Sequence, residues 1–400
     1  MESKTIKCKL GEIAKLKYGK MPKKEKKVEN GYSIYTGYKI SGSYSEYMYE
    51  KPQLIIVARG VGGTGDVKLA PPYSYITNLA IIIEVDSNVA DQYYLKYYLN
   101  SLNLRYLDSG SAQSQITIND LNNLKIELPD IVYQKKVAKF LNIIEVKLSI
   151  NSKIILNLEN LTNTLYKHWF TNFEFPNQNG EPYKSSGGEM IESELGEIPE
   201  AWSIETLSSI AKKVGDSIKV EKLEKVVPYI GLEHMPRGSI ALSSWETSEK
   251  VTSNKNSYQK GDILFGKLRP YFKKVGFAPL DGICSTDIVV FNSKKPHYYS
   301  YLMCVVSRDE FIDYCNATAT GTRMPRTGWN QMTKYKVIMP PADIAKLFNE
   351  HNKSFYERIN ALIHENNNLK SLRDILLPKL LSGEIELLDE TEVTEYVPIL

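Results

Sequence analysis

GSAQSQITINDLNNLKIELP (residues 110–129) and GTRMPRTGWNQMTKYKVIMP (residues 321–340) are two copies of one segment. They stand 211 residues apart (321 − 110) and align without a gap. Asn119 falls on Asn330, Lys125 on Lys336, Ile126 on Val337 and Pro129 on Pro340. The register continues downstream, with Ile144 on Phe355, Leu148 on Ile359, Leu158 on Leu369, Leu161 on Leu372 and Leu165 on Leu376. So long a period is not a solenoid unit. It marks a duplicated globule-plus-helix, and predicts a pseudo-two-fold chain with two similar working ends.

Upstream of the copies the echo is looser. LGEIA (10–14) answers LSSIA (207–211), Ala70-Pro71 answers Ala278-Pro279, and Tyr93-Tyr94 answers Tyr298-Tyr299. These offsets drift (207 − 10 = 197, 278 − 70 = 208, 298 − 93 = 205), as loop insertions produce. Short β-branched runs at 54–58 and 80–85, with counterparts at 263–265 and 288–291, predict strands separated by Gly- and Pro-rich turns. Each half is therefore expected to be an α+β globule of roughly 130 residues, ordinary for a domain.

Downstream, apolar residues recur at spacings of four and three: Val137, Leu141, Ile144, Leu148, then Ile155 and Leu158. The copy reads Phe348, Phe355, Ile359, Leu362, then Leu369. A seam of that period wants another helix against it. Shared register and length predict that the two helices pair with each other, antiparallel. Each seam has one polar interruption, Asn151 and Asn366. If 151 opposes 366, then 155 opposes 362, 158 opposes 359 and 148 opposes 369, a pairing that the repeat maps onto itself. The two amides are expected within about 8 Å, as a buried pair that fixes register. A helix over about 135–168 is roughly 50 Å long, against ~34 Å for one turn of DNA. Such a rod could hold two readers one to one-and-a-half turns apart. The expected boundaries are 1–134 and 174–340 for the globules, 135–173 and 341–383 for the helices, and an acidic tail at 384–400.

Composition narrows the function. At 400 residues and 42% hydrophobic the chain can bury ordinary cores. No stretch approaches the ~18–20 apolar residues of a membrane span, and MESKTIKCKLGE lacks the apolar core of a signal peptide. A cytoplasmic protein without a membrane partner is expected. The four cysteines include no CxxC, and the five histidines form no pair at ligand spacing, so neither metal nor disulfide framework is indicated. The net charge of +3 is mild but unevenly spread. Residues 15–27 hold seven lysines against Glu25 alone, and DILFGKLRPYFKK (262–274) holds four basic residues against one aspartate.

Catalytic motifs do not hold up. Gly60-Val-Gly62-Gly-Thr-Gly65 matches GxGxxG, yet a dinucleotide site needs a helix to start there. Here Pro71-Pro72 stands in the way, and the other half has Lys267-Leu-Arg-Pro270 without a glycine cluster. No Lys-Ser or Lys-Thr follows, which excludes a P-loop. Pro129-Asp130 with Glu145-Val-Lys147 resembles a nuclease pattern, but such carboxylates must converge on a metal, whereas Glu145 and Lys147 fall in the heptad helix. The chain reads as catalytically silent.

The repeat itself offers base-reading chemistry. The first copy carries Gln113, Ser114 and Gln115, and the second Arg323, Arg326 and Trp329. Glutamine can bond an adenine edge bidentately, and arginine a guanine edge. Arg59, aligned near Lys267, joins Arg269, Lys273 and Lys274 as a candidate for phosphate or base contact. Lys20, Lys23 and Lys24 are candidates for phosphates.

Three further segments resemble one family, the specificity subunits of type I restriction-modification systems. ENNNLKSLRDILLPKLLSGEI (365–385) resembles the end of that family's distal conserved helix. LYKHWF (165–170) followed by Phe173-Glu-Phe resembles the end of its central helix, and EMIESELGEIPEAW (189–202) the approach to its second recognition domain. The resemblance implies two target-recognition domains, each reading half of a bipartite site on double-stranded DNA. It implies that the paired helices measure the spacer and dock two methyltransferase subunits, which restriction/translocase subunits join. S-adenosylmethionine, ATP and Mg would serve those partners, with no cofactor on this chain. The alternatives are a two-headed coiled-coil scaffold that ignores DNA, and a stand-alone metal-dependent nuclease.

Overall fold

The structure, a computed structural model, describes residues 5–60, 63–108, 115–219, 221, 223 and 225–387. Two compact units divide the chain: Met1–Lys147 with Leu369–Leu400, and Leu148–Asn368.

In the first unit a four-stranded antiparallel sheet runs in the order Ala14–Tyr18, Ala80–Val85, Gln53–Val57, Val67–Ala70. Its two central strands are apolar at successive positions because both faces are covered. Leu54, Ile56, Ile81 and Ile83 face Tyr94 and Leu95 of the helix Gln92–Ser101. Ile55, Ala80 and Ile82 face Ala70 and Ile76 on the other side. Asp91 starts that helix, accepting from the backbone N–H groups of Tyr93 and Tyr94 at 2.9 Å each. A second four-stranded sheet orders Lys27–Val28, Ile40–Tyr44, Tyr32–Tyr35 and Ser74–Ile76.

The second unit repeats the plan. Its first sheet orders Ala211–Lys213, Ile288–Ser293, Ile263–Gly266 and Val275–Phe277. Its second sheet has five strands, ordered Ser217–Ile218, Lys255–Tyr258, Gly282–Cys284, Pro228–Ile230 and Glu246–Thr247. Both second sheets contain one parallel pair, at the edge in the first unit and inside the sheet in the second: Tyr32–Tyr35 with Ser74–Ile76, and Pro228–Ile230 with Gly282–Cys284. All four strand runs expected from the sequence are strands, and the duplication holds at the level of topology.

Each globule closes with a two-stranded ladder that feeds a long helix. Lys125–Leu128 pairs with Ile6–Lys9 before Ile131–Tyr166, and Lys336–Met339 pairs with Ser203–Thr206 before Ala342–Ser382. The first long helix begins four residues before the expected position 135. Asp130 accounts for the difference, accepting from Val132 and Tyr133 N–H at 2.9 and 3.0 Å. Both helices lose regularity at one repeat position. The first turns π-helical over Lys167–Thr171, and the second holds Pro378 (378 − 211 = 167), which has no N–H to donate.

Inside the second unit, Asn151 Nδ2 donates to Asn366 Oδ1 at 2.9 Å and to Glu365 Oε2 at 2.9 Å, so the predicted amide pair exists. Ile155 and Leu158 pack on the cluster that contains Tyr356, Ile359 and Ile363. Further on, Trp169 and Phe170 stand 5.7 and 4.8 Å from Phe348, centroid to centroid. In the first unit the roles exchange. Val137 and Leu141 share a core with Leu380 from the end of the second helix, and Tyr133 Oη donates to the Leu380 carbonyl at 2.9 Å. In each unit the start of one long helix thus lies against the end of the other, antiparallel. Among the described residues, no helix is long and apolar enough to cross a membrane.

Candidate nucleic-acid interface

In the second unit, Ile263–Gly266 leads into Lys267-Leu-Arg-Pro270, and a hairpin over 320–326 folds against it. Thr320 and Arg326 exchange both backbone hydrogen bonds at 2.9 Å. Thr327 N–H donates to the Lys267 carbonyl at 3.0 Å, and Leu268 bridges Arg326. Gly321, at φ +97°, opens the tip, where Arg323 and Met324 are exposed. Arg269 takes φ +51° and donates its N–H to the Pro325 carbonyl at 2.7 Å. Its buried Nε has no hydrogen-bond partner among the described residues. Lys267 N–H bonds the Asp287 carbonyl at 2.9 Å, and the Asp287 carboxylate receives Arg326 Nε at 3.1 Å and Nη2 at 3.4 Å.

Lys267, Arg269, Arg323 and Arg326 are thereby gathered on one rim. Lys273 and Lys274 follow it but are engaged elsewhere. Lys273 pairs with Asp309, and Lys274 Nζ donates to the Leu232 carbonyl. Burial, with Arg237 nearby, pulls the Lys274 ammonium below its ordinary value. Trp329, grouped with the readers on sequence, instead packs on Phe291 at 5.4 Å and belongs to the core.

The first unit builds its rim in the same way. Ile116 N–H donates to the Ala58 carbonyl at 3.0 Å, and Arg59 bridges Gln115. Ala58 therefore occupies the place of Lys267, and Arg59 that of Leu268, not of Lys267 as the sequence alignment had it. The turn between the two strands explains the slip. It is one residue shorter in the second half (67 − 57 = 10, 275 − 266 = 9), and the alignment took its offset from the far side of the turn. Arg59 is exposed, 6.0 Å from the Tyr18 ring centroid. Gln115 is half-buried, its N–H on Asp108 Oδ1 at 2.7 Å. Gln113 and Ser114 lie outside the described residues. Lys20 is exposed, its N–H on the Ile76 carbonyl next to the turn that leads to Leu79. Lys23 and Lys24 are also exposed but sit by the second sheet, where Lys23 N–H donates to Tyr44 Oη at 3.2 Å. Lys17 and Lys26 of the same run are tied to Glu84 and Glu46.

The glycine cluster has a steric purpose. A Cβ on Gly60 would fall 2.2 Å from Tyr38 Oη, and one on Gly63 2.3 Å from Tyr38 Cε1. Tyr38 lies over the turn and donates to the Arg59 carbonyl at 3.1 Å. The chain returns as the strand Val67–Ala70, so among the described residues no helix starts at these glycines; Val61 and Gly62 lie outside them. The nuclease-like carboxylates are occupied too: Asp130 caps the long helix and Glu145 pairs with Lys96. Among the described residues, no three His, Cys, Asp or Glu gather as a metal could require. A cavity of about 1010 Å³ opens at the opposite strand ends of the second unit, lined by residues that include Lys212, Lys294, Tyr299 and Asp262. The Asp262 carboxylate is already bonded by Gln259 N–H and Asn292 Nδ2, at 2.8 Å each.

Sequence reasoning missed Asp287. One signal could have found it: at the offset of the strand that follows (288 − 80 = 208), Asp287 stands where the first half has Leu79.

Comparison with known proteins bears out the resemblance. Residues 3–160 match the family model described as type I restriction modification DNA specificity domain. The chain is 24% identical to the MjaIX specificity subunit of Methanocaldococcus jannaschii, over 76% of this chain and 71% of that one. It is 22% identical to the EcoDI specificity subunit of Escherichia coli, over 94% of this chain and 87% of that one. Its fold is that of the type I restriction-modification S subunit from M. genitalium, at TM-score 0.66 and 18% identity, over 97% and 98% of the two chains. That shared fold is the expected one, α+β globules with long paired helices and an internal repeat.

Proposed function

With a type I restriction modification DNA specificity domain over residues 3–160 as premise, we propose that this chain is the non-catalytic, sequence-reading subunit of a DNA methyltransferase and restriction complex. It reads a bipartite site on double-stranded DNA in the cytoplasm, one half-site per unit. The observation that carries this reading is the rim built twice from the same backbone bonds but lined differently: Ala58, Arg59, Gln115 and Leu79 in one unit, Lys267, Leu268, Arg326 and Asp287 in the other. A common frame with unlike side chains is what reading two unlike half-sites requires.

The long helices serve as spacer and docking surface for two methyltransferase subunits, with restriction subunits joining them. Ile143, Val146 and Ile150 stay exposed along the first helix at spacings of three and four, as do Leu161 and its repeat counterpart Leu372. An apolar stripe of this kind suits a partner's helix. No cofactor is assigned to this chain; S-adenosylmethionine, ATP and Mg belong to the partners.

The same stripe would suit a scaffold that ignores DNA, and a titration separates the two readings. A gel shift on duplex DNA across a salt series, with and without the methyltransferase subunits, is expected to show affinity falling steeply with salt. Binding indifferent to salt, or absent in both arms, would leave only the scaffold.

A further inference from the structure

We infer that Asp287 is a positioning residue that presets Arg326 to read a guanine in the half-site met by the second unit. The inference rests on the DNA-reading function proposed above. Arg326 is held from three directions: its N–H and C=O bond Thr320, the next residue bonds Lys267, and its guanidinium bonds Asp287. A guanidinium carries five N–H donors in a rigid fork. Asp287 engages Nε and one proton of Nη2. Among the described residues nothing bonds the outer edge, Nη1 with the second Nη2 proton, which leaves a parallel pair of donors. Guanine presents the matching pair of acceptors, O6 and N7, in the major groove.

Two further observations converge on the same rim. Arg269, whose backbone bonds Pro325 beside Arg326, has a buried Nε with no acceptor among the described residues. The two copies also change together: where the reader is the neutral Gln115, the place of Asp287 is taken by Leu79. A carboxylate on a DNA-facing rim repels every phosphate and lowers affinity for all sequences alike. Its presence beside Arg326, where the other rim sets Leu79 near Gln115, fits a group that trades general affinity for orientation.

The test uses the full chain assembled with its methyltransferase subunits, a randomised duplex pool, and sequencing of the bound fraction. Melting curves confirm that the variants fold. The parent is expected to enrich guanine at one position of one half-site. Arg326→Ala should cut that preference by about tenfold or more and leave the other half-site intact. Asp287→Ala should weaken guanine preference at the same position by several-fold, while affinity for random duplex holds or rises. Asp287→Asn, which keeps one acceptor oxygen, should fall between. A residue that merely props the fold would lower both affinities together, and that result overturns the inference. Undiminished guanine enrichment by Asp287→Ala, with Arg326→Ala defective, also overturns it and leaves Arg326 as reader. Unchanged enrichment by Arg326→Ala removes both residues from recognition while bipartite reading stands. No enrichment by the parent refutes the underlying function.

Discussion

Asn151 is fully buried, and both protons of its amide go to the second long helix. Replacing it by leucine strands Asn366 Oδ1 without a donor. Asn151→Leu should therefore cost ~1–3 kcal/mol in urea unfolding. The double variant Asn151→Leu/Asn366→Leu should recover most of that loss, because matched apolar groups replace a matched polar pair. An additive double variant would contradict the pairing. This pair was legible in the sequence because a polar residue interrupts an apolar seam. The Asp287–Arg326 pair was missed, since the strand offset that sets Asp287 opposite Leu79 marks the acid but does not say which loop arginine it will meet. The thiols offer a second check at this scale. Burial pushes Cys284, Cys304 and Cys315 each up to about 12, and also raises the half-exposed Cys8. The thiolate is the form that alkylates. At pH 8 iodoacetamide should modify Cys8 slowly and the other three only after denaturant is added; rapid native labelling of all four would refute the packing.

Among the elements, the first long helix adds to its apolar packing on the second globule one buried carboxylate. Glu159 is buried, and its Oε1 accepts from Ser239 Oγ at 2.7 Å, Ile240 N–H at 2.9 Å and Ala241 N–H at 3.1 Å. Its repeat counterpart is Lys370 (159 + 211), which is exposed. Glu159→Leu should leave Ser239 Oγ and Ile240 N–H unmet, with Ala241 N–H keeping only Ser239 Oγ at 3.2 Å, and destabilise by about 1–3 kcal/mol. Hydrogen exchange should quicken at Ile240 and Ala241, while Lys370→Leu changes nothing there. Equal protection in both variants would show that the contact contributes little. Helix existence and register could be read from the sequence because apolar spacing is periodic. The first helix's start could not be fixed so well, because it depends on Asp130 reaching two N–H groups, which is a matter of local geometry. The second sheets were likewise hidden: their strands run two to five residues and vary most between the halves.

For the whole molecule, the exposed lysines at 20, 23 and 24 can be tested together. If each meets a phosphate, the triple alanine variant should lower the slope of log affinity against log salt by about 0.9 per contact, with sequence preference unchanged. An unaltered slope would place the DNA elsewhere. Lengthening one long helix by a turn, about 5.4 Å, should shift the tolerated spacer or abolish methylation when modified adenines are mapped. An unchanged map would contradict a spacer made of helix. The gross plan, two globules and two helices, follows from the 211-residue repeat alone. The membership of each compact unit does not, because the repeat says which segments are alike and not which segments touch. That membership governs the order of events on the ribosome. Residues 148–368 of the second unit are contiguous, so all of its parts are synthesised before Leu380 is added. The first unit has Val137 and Tyr133 early but waits for Leu380 to close its core. Domains ordinarily finish in the order they are translated; here the one begun first is completed last, and until then it shows an open apolar slot shaped for a helix end.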